Sequence, residues 1–214
     1  LGKTYLTNRD SDSVSVIDTA TLSVTKTIDG FNAPWGIVIS PYGRWAYVAN
    51  QGDGTIGVID TATDTLIDTW DIQGDWLQML DIDPTGRKLF VTDADVGAVL
   101  VGDAFSGEVL EVIPADHSRA WYVENFPAGA GNYAYFSRMD DNSVAVVNTN
   151  NHKIEKMIDL QSFGSVNGLA LFPMDQACLT TGGVVIAPAI PHRVAPAGET
   201  ATFYEKVTNL SAIT

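Results

Sequence analysis

An all-β chain of short strands in repeating units is the fold this sequence predicts. Three observations predict it: an internal repeat of about 43 residues, apolar alternation at a period of two, and turn-forming residues between the apolar stretches. The repeat is marked by proline. Pro41, Pro84, Pro127 and Pro173 fall 43, 43 and 46 residues apart. About four short strands fit in each interval, which is the spacing of β-propeller blades.

Each element of the unit is legible in turn. The inner strand reads Gly36-Ile37-Val38-Ile39-Ser40-Pro41-Tyr42-Gly43, then Met79-Leu80-Asp81-Ile82-Asp83-Pro84-Thr85-Gly86. Trp121-Tyr122-Val123-Glu124-Asn125-Phe126-Pro127 and Gly168-Leu169-Ala170-Leu171-Phe172-Pro173 continue it. Alternating residues such as Ile37 and Ile39 predict half-buried strands, and Pro-x-Gly predicts the turn that follows. The second strand is Tyr5-Leu6-Thr7-Asn8, Tyr47-Val48-Ala49-Asn50, Phe90-Val91-Thr92-Asp93 and, more loosely, Tyr135-Phe136-Ser137-Arg138. Asp10 to Ser13, Gly52-Asp53-Gly54 and Asp140 to Ser143 supply hairpin turns. The third strand runs Val14-Ser15-Val16-Ile17-Asp18-Thr19-Ala20-Thr21 and Ile56-Gly57-Val58-Ile59-Asp60-Thr61-Ala62-Thr63, with counterparts at Val99 to Asp103 and Val144 to Thr149.

Composition agrees and excludes several functions. The chain has 214 residues, of which 45% are hydrophobic, and a mean hydropathy of +0.07, enough to fill a core. No apolar run is long enough to span a membrane as a helix. Asp and Glu number 26 against 12 Lys and Arg, for a net charge of −14. Such a surface repels phosphate backbones, so no nucleic-acid partner is expected. The acids are 20 Asp to 6 Glu, a bias towards turns over helix interiors. Cys178 is the lone cysteine and only three histidines are present, so no transition-metal site is expected within this segment. The start at Leu1 shows no signal peptide and is silent on compartment.

The Tyr-Leu-Thr-Asn and Tyr-Val-Ala-Asn strands, with Ile-Asp-Thr-Ala-Thr at Ile17 to Thr21 and Ile59 to Thr63, resemble the YVTN β-propeller family over residues 3–173. The resemblance implies propeller blades, usually in secreted or periplasmic proteins, and no single activity. Rings of that family generally have about seven blades. Three arrangements stay open: further blades upstream, a half-ring completed by another chain, or a four-bladed ring closed by Gly168 to Phe172 beside the Tyr5 strand.

The repeat stops after Pro173. Residues 174–192 read as a connecting strand and linker, and residues 193–214 as the start of a β-sandwich. Ala197-Gly198-Glu199 with Val207-Thr208-Asn209-Leu210 resembles the propeller-to-cupredoxin junction of nitrous oxide reductase. That resemblance implies copper ligands beyond Thr214. It does not carry the propeller copper cluster, which needs several histidines where this span offers His117 and His152. Asn209-Leu210-Ser211 fits a glycosylation acceptor, a weak pointer to an extracellular face.

Candidate binding residues are those at the start of each inner strand, where a propeller funnel opens: Trp35, Trp76, Gln78, His117, Arg119, Trp121 and Asn167. They either receive a partner or, in the case of the tryptophans, plug the axis. No acid–base or nucleophile arrangement is expected among them. His117 reads as a loop residue, and Asp81, Asp83 and Glu124 as turn and edge residues. The expected role is a non-catalytic scaffold or protein-interaction module outside the cytoplasm, within a larger assembly. The alternative is the propeller part of a copper or electron-transfer protein.

Overall fold

The computed structural model describes residues 2–116, 118–125, 132–163, 166–171 and 184–188. Seventeen strands are described, in five antiparallel sheets. The first sheet holds β1 (Lys3–Asn8), β2 (Ser13–Asp18) and β3 (Ser23–Asp29). Three complete four-stranded sheets follow. They are β4 (Pro34–Ile39), β5 (Trp45–Asn50), β6 (Thr55–Asp60) and β7 (Thr65–Asp71); β8 (Leu77–Ile82), β9 (Lys88–Asp93), β10 (Ala98–Asp103) and β11 (Val109–Pro114); and β12 (Ala120–Asn125), β13 (Tyr133–Arg138), β14 (Ser143–Asn148) and β15 (Lys153–Asp159). β16 (Val166–Leu171) pairs with β17 (Val184–Pro188) in the fifth. Each complete sheet is a meander in sequence order, and β4, β8, β12 and β16 lie side by side in series. The chain is a run of β-propeller blades with these four strands innermost.

The four-bladed closure is not what the structure adopts. β16 takes β17 as its partner, and β1 is the edge strand of its sheet. The expected start of a sandwich at 193–214 lies outside the described residues.

The core sits between blades. Four apolar clusters each join two successive sheets; Tyr47, Ile56 and Val58 of the second blade meet Leu77, Leu80 and Leu100 of the third, for example. This corrects the expectation of half-buried strands throughout. β5, β6, β9 and β10 are buried on both faces, because each middle strand is covered by a blade on either side. The outer strands β7 and β15 alternate with mostly exposed residues instead.

The letters of the repeat have separable jobs. The leading tyrosine reaches the next blade: Tyr5 Oη donates to Asp64 Oδ1 at 2.5 Å, and Tyr47 Oη to the Ala104 carbonyl at 2.7 Å. The threonine also crosses between blades. Thr7 Oγ1 donates to the Trp35 carbonyl at 2.7 Å, and Thr92 Oγ1 to the Trp121 carbonyl at 2.9 Å. The aspartate of Ile-Asp-Thr-Ala-Thr caps its own outer hairpin. Asp18 accepts from the N–H groups of Ala20 and Thr21, Asp60 from Ala62 and Thr63, and Asp103 from Phe105 and Ser106. Burial and the nearby Asp103 push Tyr47 up to about 12, so it stays a donor well into alkaline conditions. Tyr47→Phe leaves the buried Ala104 carbonyl without this donor. The expected loss is about 1–2 kcal/mol, checked by urea denaturation; no change in midpoint would show that the bond contributes nothing.

Where β9 carries Phe90, which has no hydroxyl, Lys88 makes the crossing. Its Nζ donates to the Thr149 carbonyl at 2.9 Å and meets His152 Nε2 at 2.8 Å, while His152 Nδ1 lies 3.8 Å from Glu111 Oε2. Burial first, and the Lys88 charge second, hold His152 below its ordinary 6.5; Glu111 pulls the other way. A histidine depressed on folding contributes stability that is present above the unfolded value and lost as pH falls through the folded one. The contribution is complete above pH 6.5 and fades in acid. Tm is expected to fall as pH is lowered from about 7 to about 5, and to fall less in His152→Gln; equal slopes would remove His152 from the account.

Candidate functional site

One end of the blades gathers three features: the start of each inner strand, the loop entering it, and the hairpin turn after the second strand. All four inner strands break register with their second strand just after they begin, between Pro34 and Ile37, Leu77 and Leu80, Ala120 and Val123, and Val166 and Gly168. Such bulges re-aim side chains at a rim. Trp35, Gln78, Trp121 and Asn167 all fall inside these breaks, and Trp76 immediately precedes one.

Trp35 and Trp76 are each 40% exposed. Trp76 and Trp121 meet edge to face, ring centroids 6.5 Å apart and planes at 75°. Arg9 lies 5.9 Å from the Trp35 ring centroid and donates through Nε to Gln51 Oε1 at 3.0 Å. Arg119 is exposed and bound to Asp140, with NH2 to Oδ1 at 2.7 Å and Nε to Oδ1 at 3.1 Å. Gln78 differs from its neighbours: it is fully buried, and neither Nε2 nor Oε1 has a hydrogen-bond partner. Asn167 is placed by the backbone of β16, and His117 lies outside the described residues.

The fourth letter of the repeat holds this end together, which sequence reasoning missed. Asp93 is fully buried and accepts four backbone N–H groups. Those of Asp75 (2.8 Å) and Trp76 (3.3 Å) belong to the entering loop; those of Asp95 and Val96 (3.1 Å each) belong to the hairpin turn. Asn50 Oδ1 accepts from the Asn32 N–H at 3.3 Å, and Arg138 Nε donates to the Ala115 carbonyl at 3.0 Å. The signal was there: a polar residue, Asn8, Asn50, Asp93 or Arg138, closes the second strand in every repeat.

At the far end of the inner strands lies a second group of polar residues. Asp81 and Glu124 are not edge residues; they sit half-buried on the neighbouring inner strands β8 and β12. Asp81 Oδ2 accepts from the Asn125 N–H at 2.6 Å and from Asn125 Nδ2 at 3.1 Å, while Asn125 Oδ1 is buried without a partner. Burial raises Asp81 above the usual carboxylate range, and burial with the Asp81 charge pushes Glu124 up to about 7. Asp83 is the turn residue expected, capping the N–H groups of Arg87 and Lys88. Among the described residues no three of His, Cys, Asp and Glu cluster as metal ligands, and no helix is long and apolar enough to cross a membrane.

No family model matches the chain. It is similar to the seven-bladed β-propeller protein Rv1057 of Mycobacterium tuberculosis, at 32% identity over 50% of this chain and 28% of that protein. It is also similar to the uncharacterised protein YncE of Salmonella typhi, at 26% identity over 74% of this chain and 44% of that one. The chain thus spans less than half the length of these relatives. Among solved structures it is similar to hydrazine synthase of Kuenenia stuttgartiensis. The TM-score is 0.68 at 21% identity, over 78% of this chain and 47% of that one, a likeness of fold alone.

Proposed function

We propose, for a chain built of YVTN-type β-propeller blades, that it serves as a non-catalytic interaction module outside the cytoplasm, docking a protein partner at the tryptophan-bearing end. One observation carries this reading. Successive blades place Trp35 and Trp121 within, and Trp76 just before, the register break that opens each inner strand, and Trp35 and Trp76 keep 40% of their surface in water. Large amphipathic rings left exposed on rigid strands suit a partner's apolar side chains. Arg9 lies over the Trp35 ring and Arg119 is paired with Asp140, so polar groups border the rings at this end.

A photo-crosslinking residue at Trp35 or Trp76 tests it, with one at exposed Leu22 as the control. In extract from the source cells, discrete protein adducts are expected from the two rim positions and not from Leu22. The same adducts from all three, or none from the rim, would reject the docking end. The copper alternative rests on the resemblance at residues 193–214, and metal analysis of the protein purified from its source separates it: stoichiometric copper would replace the scaffold reading with a redox one.

A further inference from the structure

We propose that the cleft between β1 and β4 is a docking site for an extended strand of a partner polypeptide, one that adds to the free edge of β1 and carries two adjacent aliphatic residues. The inference does not rest on the docking reading at the tryptophans.

The complete blades set the standard. β5, β9 and β13 each pair with an inner strand on one side and a third strand on the other, whereas β1 pairs with β2 alone among the described residues. β4 nevertheless stands beside β1 as β8 stands beside β5 and β12 beside β9. An unpaired edge offers a row of backbone donors and acceptors to an extended chain. Two side chains of β1 repeat the pattern of the paired strands. Asn8 and Asn50 hold their own hairpins alike, Nδ2 donating to Ser13 Oγ at 3.2 Å and to Thr55 Oγ1 at 2.9 Å. Asn50 Oδ1 also accepts the N–H of Asn32, in the loop entering its inner strand, whereas Asn8 Oδ1 receives no N–H among the described residues. Thr7, like Thr92, donates to a tryptophan carbonyl on the next inner strand. Thr92 Oγ1 also accepts the Met79 N–H, and Ser137 Oγ the Tyr122 N–H, both at 3.0 Å and both from the break of their own inner strand. Thr7 Oγ1 receives no such donor among the described residues. Both side chains are set to meet a strand paired with β1.

The cleft is also apolar. Ile39 is 41% exposed, while its counterparts Ile82 and Asn125 are 7% and 9% exposed. The preceding inner strand reaches those counterparts: Val38 packs on the cluster that holds Ile82, and Asp81 accepts from Asn125. Register dictates what would reach Ile39. Opposite the leading aromatic residue of the second strand stand Val38 (on Tyr47), Asp81 (on Phe90) and Glu124 (on Tyr135). A residue opposite Tyr5 therefore comes to Ile39 and should be aliphatic, as Val38 is. Opposite the next position stand Ile37, Leu80 and Val123, so an aliphatic residue is expected opposite Leu6 as well. The strand that fits has this aliphatic pair, preceded by a residue whose N–H is free for Thr7. Gly36-Ile37-Val38 has that order, so the partner's strand is of the same type as β4.

A labelled peptide with the sequence of residues 33–41 tests the proposal, its binding to the chain read by fluorescence anisotropy and its position by hydrogen exchange. Saturable binding with a Kd below about 1 mM is expected, with exchange slowed at the amides of β1 and not along the outer strands β3, β7 and β11. Ile39→Asp in the chain should weaken binding about tenfold or more. Because Ile39 already meets water, that variant should fold. Gly36→Pro in the peptide removes the N–H meant for Thr7 and should weaken binding about fivefold or more, with no change to the chain at all. No binding at about 1 mM peptide would overturn the site. So would binding that survives both Ile39→Asp and Gly36→Pro, or slowed exchange spread over the outer strands.

Discussion

Replacing Asp93 with alanine is expected to lower the unfolding free energy by about 3–5 kcal/mol. The residue is fully buried and its two oxygens accept the N–H groups of Asp75, Trp76, Asp95 and Val96. Alanine strips all four donors at once. Water can reach only those that open to the rim, so at least part of the desolvation penalty remains. Asp93→Asn keeps one acceptor oxygen and should lose about half as much. The two donors in the entering loop also position Trp76, so its fluorescence should change in the folded state of the alanine variant. The midpoint of urea denaturation checks the energy. A loss below about 1 kcal/mol would mean that the loop is held by its neighbours and that the carboxylate is incidental.

The second large effect is expected at Gly36, in the bulge of β4. A methyl group there would stand 2.5 Å from the Gln78 carbonyl oxygen and 2.9 Å from the Met79 Cα. Both are backbone atoms of the next inner strand, so the clash cannot be relieved by a side-chain rotation. Gly36→Ala must push β8 away from β4, and a cost of about 3 kcal/mol is expected. Gly43→Ala is the informative control. Its φ is +69° but nothing stands within 4 Å of the added carbon. Only the left-handed backbone is taxed there, by about 1 kcal/mol. If the two variants lose the same stability, close approach of the inner strands is not what requires glycine at 36.

Much of the fold was legible because local chemistry repeats with the chain. Asp18, Asp60 and Asp103 cap the same hairpin by the same short-range bonds, so they recur in sequence as they do in space. The rim positions of Trp35, Trp76 and Trp121 were readable for the same reason. Burial was harder. Ile59 and Val58 face different blades, and only the neighbouring sheets make both sides of β6 interior. Asp81 and Glu124 were misread because their environment comes from the strand next door, more than 40 residues away in the chain. Gln78 could not have been placed by pattern at all: the break in register after Leu77 changes what alternation means at that point.

The bonds of the repeat fall into two kinds, and the division bears on how such a protein diversifies. Asp93, Asn50 and Arg138 secure the entering loop of their own sheet. Tyr47, Thr7 and Thr92 reach the sheet that follows. A gene segment encoding one unit therefore carries both the residues that present its rim and the clamp that steadies them. Duplication copies the rim and its clamp together, and contacts such as Arg9 on Trp35 and Trp76 on Trp121 join each rim to the next. The surface offered at that end is inherited in parcels of about 43 residues, each fitted to the one beside it.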